Sequence, residues 1–331
     1  MLITVFFAQK KVMKMYVKLK DIAERAGVSV NTVSRALRNG SDIGEETKRK
    51  ICELAEEMGY VPNEIHSYTF SGMSKIIGVA TPSTTNPFVF IMLSKLIEQL
   101  DKMNYSPLIV RCAEGMMHDE HLKNLLGKRV CGIISFNNVD EEVEQKVKQY
   151  KLPFVMVGTN SRGRDVNAVF IDDFKCGEIM GDELSRSDRK KPCYVACGTG
   201  VNERGAKLFE KAEKLGLVCD KYIYDYDTFD IADIICKDIV NNGNDFIYCF
   251  NDEIALKLIV ALDECGYKDY DIYGIDGITH YMPLFRKISS LSSDYSAMIK
   301  VAVRRIFEIL ENQDAEYTTS QTVFPVSLEK Y

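Results

Sequence analysis

The strongest constraint in this sequence is an alternation that runs from residue 76 to the end. Short apolar runs rich in β-branched and aromatic residues recur: KIIGVAT, SPLIVRC, VCGIISF, LPFVMVG, NAVFID, PCYVACG, KYIYDYD, DFIYCFN and YDIYGID. Between most of them lie longer segments with helical period, such as Phe88–Met103 and Glu253–Cys265. Strands joined through helices pair in parallel, and parallel sheets are covered by helices on both faces. The expected class is therefore α/β, with doubly wound parallel sheets. A chain of 331 residues exceeds one core and suits two such lobes plus a smaller domain. In this architecture ligands bind beyond the C-terminal ends of strands, so the loops after the strands matter most.

Composition narrows the setting. The chain is 46% hydrophobic and 27% charged, as soluble globular proteins are. No run approaches the ~20 uninterrupted apolar residues that span a membrane. The run Leu2 to Ala8 is short and lacks a basic region before it, so it does not read as a secretory signal. Residues 1–16 read as an unstructured extension, with Met13 or Met15 as alternative starts. Ten cysteines are scattered, several inside strand-like runs (Cys112, Cys131, Cys193, Cys197, Cys249), and none form C-x-x-C. That usage fits a reducing cytoplasm, where cysteine packs as a small hydrophobe. No metal or disulfide is expected.

The N-terminal part has a different rhythm. Leu19, Ile22, Ala23 and Ala26 make one apolar face of a short helix, and Gly27 suits its left-handed end. Ser29 can cap a second helix with Val33, Ala36 and Leu37 on one side. Asn31, Ser34, Arg35 and Arg38 take the other side. A third helix carries Ile51, Leu54, Ala55 and Met58 and stops at Gly59. Two helices about a tight glycine turn, the second with a small-polar and arginine face, describe a helix-turn-helix. Asn can pair with adenine edges and Arg with guanine edges, while Ser can hold phosphate. Periodicity alone leaves open a helical hairpin with a solvated polar face.

The residues carry a resemblance. LKDIAERAGVSVNTVSRALRNGSDIGEETKRKICELAEEMGYVPN resembles the DNA-binding headpiece of the lactose-repressor (LacI/GalR) family of bacterial transcription regulators. The likeness runs through DIAERAGVS, TVSRAL, EET and GYVPN. It continues through IIGVATPSTTNPF, GIISF, FNDEIAL and GIDG, so it spans essentially residues 17–331. It implies a helix-turn-helix domain over 17–62, a hinge over 63–75, and a two-lobed periplasmic-binding-protein type 1 core over 76–331. That core binds effector, dimerises, and has crossovers near Asp172 and Asp294. It implies base reading by Val30, Asn31 and Arg35. Ser29, Thr32 and Ser34 would lie near the backbone, with Arg38 on the same face and Tyr60 and Asn63 at the helix-3 exit. Lys18 departs from the Ser or Thr that usually caps helix 1, a loss of roughly 1 kcal/mol.

Charge looks adverse to DNA, with a formal net charge of −6, but it is unevenly placed. Residues 17–75 hold nine basic and nine acidic residues, and residues 1–16 add three lysines. Residues 76–331 therefore carry 30 basic and 39 acidic residues, a net −9. Exposed charges beyond a Debye length of ~8 Å are largely screened. A neutral headpiece can bind DNA beneath an acidic body, with weak non-specific affinity.

In the family the hinge is a short helix that folds on the operator, and paired hinges of a dimer push a leucine into the minor groove. Thr69 stands at that leucine's position, with His66 and Ser67 where Ala and Arg are favoured and Phe70 next along. A linker with little helix of its own is the alternative.

In the core, Phe88 and Val89 begin the helix after the first strand. Asp172 follows AVFI, Asn251 and Asp252 follow IYCF, and Asp276 follows IYGI. Carboxylates and amides beside an aromatic ring suit a polyhydroxylated ligand. An Asp or Asn there can also simply cap the next helix, the reading preferred for Asp252. Two usual anchors are absent. Gly158-Thr159 stands where sugar binders of the family have Asp-Arg. The clamping arginine would align with Gly205, with Arg204 one place off and turned by ~100°. Either the ligand differs from the usual sugars and purines, or the cleft is degenerate.

HDEH, His118 to His121, has spacing for a metal but no third ligand nearby in sequence and reads as a solvated helix start. CGTGVNERG fits no phosphate-loop pattern. No catalytic set emerges, so an enzyme is not expected, nor a cofactor. The expectation is a cytoplasmic homodimeric regulator, a repressor by preference, on a pseudo-palindromic DNA operator. A small-molecule effector, with carbohydrate as the first candidate, would control it. The alternative is a DNA-binding regulator with a degenerate cleft, governed by a protein partner or constitutive.

Overall fold

Helix α1, Leu19–Ala26, begins without a side-chain hydroxyl cap, yet its first turn is closed. The Asp21 carboxylate accepts the Lys18 backbone N–H at 2.7 Å, which offsets the missing cap. Gly27 ends the helix at φ +68° and turns the chain into α2, Val30–Leu37. Ser29 accepts from the Thr32 N–H at 3.0 Å and so caps α2. α3, Glu45–Glu57, completes the bundle. Ile22, Ala23, Val33, Ala36, Ile51 and Ala55 form its core, and Tyr60 packs half-buried against them. Arg25 ties α1 to α3 through Glu57 at 2.7 Å, an exposed pair that contributes little.

This computed structural model describes residues 17–38, 43–60, 74–82, 86–112, 115–198, 202–225, 231–282, 286–312 and 316–331. They divide into two units, residues 1–73 and 74–331. Asn63, Thr69 and the other hinge positions up to residue 73 lie outside the described residues, as do residues 1–16.

The second unit opens with β1, Ile76–Thr81, then α4, Pro87–Lys102, and β2, Ser106–Arg111. There follow β3, Met116–Met117, α5, Asp119–Gly127, β4, Gly132–Ser135, β5, Asn138–Val139, and α6, Glu141–Gln149. Next come β6, Phe154–Val157, β7, Ala168–Ile171, and α7, Asp173–Arg186. The chain continues through β8, Pro192–Cys197, α8, Glu203–Lys214, β9, Asp220–Tyr224, and α9, Ile231–Asn242. Then come β10, Phe246–Cys249, α10, Asp252–Glu264, β11, Asp271–Ile275, and α11, Ile278–Tyr281. β12, Ser289–Ser292, α12, Tyr295–Glu311, β13, Gln321–Phe324, and β14, Ser327–Glu329, close the sequence.

Two six-stranded sheets result. One has the order β13-β7-β6-β4-β1-β2 and is parallel throughout. The other has the order β14-β12-β11-β10-β8-β9, with only β14 antiparallel. β4, β6, β7 and β10 are buried along their whole length, because helices cover both faces. The chain passes between the lobes three times: from β7 into α7, from β12 into α12, and from β13 to β14. The third passage was not read from the sequence. It adds an edge strand to each sheet.

Candidate DNA-reading helix and effector cleft

On α2 the inward residues Val33 and Ala36 are buried, which leaves Val30, Asn31 and Arg35 exposed. Val30 is 44% exposed, a large apolar side chain with no place in the headpiece core. The hydroxyls around it are already organised. Ser29 and Thr32 share a hydrogen bond at 2.8 Å. Arg38, the C-cap of α2, folds back on Ser34, donating to its carbonyl at 3.1 Å and to its hydroxyl. Asn31 and Arg35 thus project from a helix whose neighbouring polar groups are held in place. Such a face matches a major groove, where Asn pairs with adenine and Arg with guanine.

In the two-lobed unit the loops after the strands converge. Asn86 caps α4, accepting from the Phe88 N–H at 2.9 Å, and donates its amide to Glu253 of α10 at 2.8 Å. This side-chain bond joins the lobes directly. Asn160 donating to Glu203 of α8 makes a second bridge. Phe88 meets Tyr295 edge to face, with ring centroids 4.9 Å apart. Val89, placed beside Phe88 by the sequence reading, is buried.

Asn251 is the cap of α10, accepting from the Ile254 N–H at 3.0 Å. This corrects the assignment of the cap to Asp252, which is the first residue of the helix. Asp252 is fully buried and braces the next turn instead: its carboxylate accepts from the Ile278 N–H at 2.9 Å and from the Ser290 hydroxyl at 2.7 Å. Gly274 in β11 leaves room for it, since a Cβ there would lie 2.0 Å from Asp252 Oδ1. Asp276 follows β11 with φ +119°, rare for a residue with a side chain and a mark of local strain. It is buried within electrostatic reach of Asp252, Arg204, Glu253 and Asp173.

Arg204 projects into this cluster. It donates to Asp173 Oδ1 at 2.7 Å and to the Phe250 carbonyl at 3.0 Å, and lies 4.5 Å over the Phe250 ring. Gly205 beside it faces Tyr194, and a Cβ at that position would approach the ring to 2.6 Å. The anchor arginine of the family has no room there while Tyr194 keeps its place. Asp172 stands apart, capping α7 through the Lys175 N–H and pairing with Arg162 at 3.3 Å.

Two buried tyrosines near Arg204 were not singled out in the sequence. The hydroxyls of Tyr248 and Tyr295 are buried and find no hydrogen-bond partner among the described residues. Both rings sit near Arg204, Tyr248 beside Asp173 and Tyr295 beside Asp276. Their only signal was a tyrosine inside an apolar strand and another after Asp294. A separate cavity of about 480 Å³ lies elsewhere, lined by residues including Lys151, Arg305, Glu308 and Tyr317, with none of the cleft residues.

Burial raises the Asp252 carboxyl from 3.8 to about 7, against its hydrogen bonds from Ser290 and Ile278. Burial, then the charge of Asp252, also raises Asp276. The folded protein therefore holds protons that the unfolded chain releases above its carboxylate range. This contribution is fully present below about pH 4 and is lost as pH rises through about 7. Thermal unfolding at pH 5.5 should exceed that at pH 7.5 by about 1–2 kcal/mol of stability from Asp252. Asp252→Asn should flatten that difference; an unchanged pH profile in the variant would show that Asp252 is not its source.

A helix-turn-helix domain followed by a two-lobed core of periplasmic-binding-protein type defines a DNA-binding transcriptional regulator. Residues 18–63 match the bacterial regulatory proteins of the lacI family. The HTH-type transcriptional regulator DegA of Bacillus subtilis is 26% identical over 271 residues, covering 77% of this chain and 80% of its own. Catabolite control protein A of Priestia megaterium is 26% identical over 322 residues, covering 93% and 96%. The crystal structure of the lac repressor dimer bound to operator and an anti-inducer superposes with a TM-score of 0.74 at 20% identity, covering 95% of this chain and 98% of that one. The lacI-family match thus lies in the headpiece, and relatives named as transcriptional regulators align along most of the chain.

Proposed function

We propose that this protein is a cytoplasmic repressor, without enzymatic activity, that binds a two-fold-related operator as a homodimer and releases or grips it in response to a polyhydroxylated small molecule. On the DNA side, Val30, Asn31 and Arg35 read bases, Ser29, Thr32, Ser34 and Arg38 position the helix on phosphates, and Tyr60 steadies the exit of the headpiece. Asn63 and Thr69 extend this surface by family resemblance alone. On the effector side, Phe88 is the apolar platform and Asp276, Asn251 and Arg204 are the polar groups, with Val89 and Asp172 at the margins.

The observation that carries the effector reading is the pair of buried tyrosine hydroxyls, near Arg204 and Asp276, that have no partner among the described residues. Buried hydroxyls without partners are costly, and a ligand with several hydroxyls can satisfy them. Ligand contacts that compete with the Asn86–Glu253 and Asn160–Glu203 bridges would bias one lobe arrangement over another. DNA affinity then follows the favoured arrangement.

A second reading, a regulator with a degenerate cleft, is favoured by one observation: Arg204 is already bound to Asp173 and Phe250. Two measurements test the proposal. Purified protein should retard DNA from its own promoter region. In a thermal-shift panel of pentoses, hexoses and nucleosides, a true ligand at ~100 times its Kd should add about 2.7 kcal/mol. Retardation without any shift selects the second reading; a folded protein that retards no promoter DNA overturns both.

A further inference from the structure

Ten cysteines are free, and most are buried or half-buried in the sheets and helices. Two are exposed: Cys52 on α3 of the headpiece, and Cys265 at the C-cap of α10. Cys265 is not alone. Its sulfur lies 3.5 Å from that of Cys236, a fully buried residue of the neighbouring helix α9. A disulfide needs about 2.05 Å between sulfurs, a closure of about 1.5 Å within reach of side-chain torsions. The two residues are 29 apart in sequence and meet only because α9 packs against α10.

We propose that Cys236 and Cys265 form a peroxide-responsive thiol pair, with Cys265 as the residue oxidised first and Cys236 as the resolving thiol that closes an intrachain disulfide. Exposure sets the order, because a peroxide reaches Cys265 directly while Cys236 is covered. Burial and the neighbouring Cys265 also push the Cys236 thiol up to about 12, so it is a poor first nucleophile.

In the first step the Cys265 thiolate attacks one peroxide oxygen and the O–O bond breaks. Hydroxide leaves, takes up the thiol's proton as water, and Cys265 becomes a sulfenic acid. In the second step the Cys236 sulfur loses its proton and attacks the Cys265 sulfur. The S–O bond breaks, and the departing hydroxide takes that proton to form a second water. Two thiols and one peroxide thus yield one disulfide and two waters. The bond would fix the C-terminal end of α10 to α9. The N-terminal end of α10 carries Asn251, Asp252 and Glu253, so the restraint acts on a helix that contributes to the cleft.

The test uses the full chain carrying Cys52→Ser, treated with hydrogen peroxide under native conditions. Intact mass should fall by two hydrogens, peptide mapping should find Cys236 joined to Cys265, and dithiothreitol should restore the starting mass. Adding Cys265→Ser should abolish the mass loss. Adding Cys236→Ser instead should stop the reaction at a sulfenic acid that dimedone traps on Cys265. Cys265 passing directly to sulfinic acid while Cys236 remains a thiol would overturn the proposal. So would disulfide-linked dimers through Cys265, or no reaction at Cys265.

Discussion

Replacing Arg204 by methionine is expected to destabilise the two-lobed unit by about 3–5 kcal/mol, the range found when one partner of a buried ion pair is removed. Arg204 and Asp173 keep only 11% of their side-chain surface each. The substitution strands the Asp173 carboxylate near Asp276 and takes a donor from the Phe250 carbonyl. Chemical denaturation at neutral pH reads the loss. The double variant Asp173→Leu with Arg204→Met should recover most of it, because no uncompensated charge remains. A single variant within about 0.5 kcal/mol of the parent would show that the pair is not sealed from water.

A comparably large effect is expected in DNA binding. Asn31→Ala and Arg35→Ala should each remove about 1–3 kcal/mol from binding to an operator selected from random DNA, roughly 5- to 150-fold in Kd. Their effect on non-specific DNA should be much smaller for Asn31, which is uncharged. Arg38→Ala should weaken all sequences alike, since its side chain is folded back on Ser34 and suits a positioning role. Fluorescence anisotropy at several salt concentrations separates these cases, because only loss of a phosphate contact lowers the salt slope. Specificity preserved in both Asn31→Ala and Arg35→Ala would place base reading elsewhere.

The headpiece was legible because its signals are local. Helical period, Gly27 and Ser29 lie within a few residues of what they determine. The nine apolar runs each form a strand; the inner ones, buried on both faces, need continuous apolar sequence, while β2 and β9 are partly exposed edge strands. The strands that escaped break that rule for physical reasons. β12 is written SSLS because Ser290 serves Asp252, so a buried strand carries polar letters. β13 and β14 are short edge strands with no buried residue, and β13 alternates in exposure. Phe88, Asn251 and Asp276 were singled out from their places after strands, and Arg204 from its offset by one from the family's clamping arginine. Pairings across long stretches of sequence were not. Nothing near Asp252 announces Ser290, 38 residues away, and nothing near Gly205 announces that Tyr194 occupies its space.

The third passage between the lobes also bears on how the molecule is made. Residues 321–324 finish one sheet and residues 327–329 finish the other. During synthesis neither lobe has its full complement of strands until this last stretch has left the ribosome. Until then β7 and β12 each present an unpaired edge, the kind of surface that invites association between chains. The two lobes therefore reach completion together, within the time needed to add nine residues, although their first strands are separated by more than a hundred.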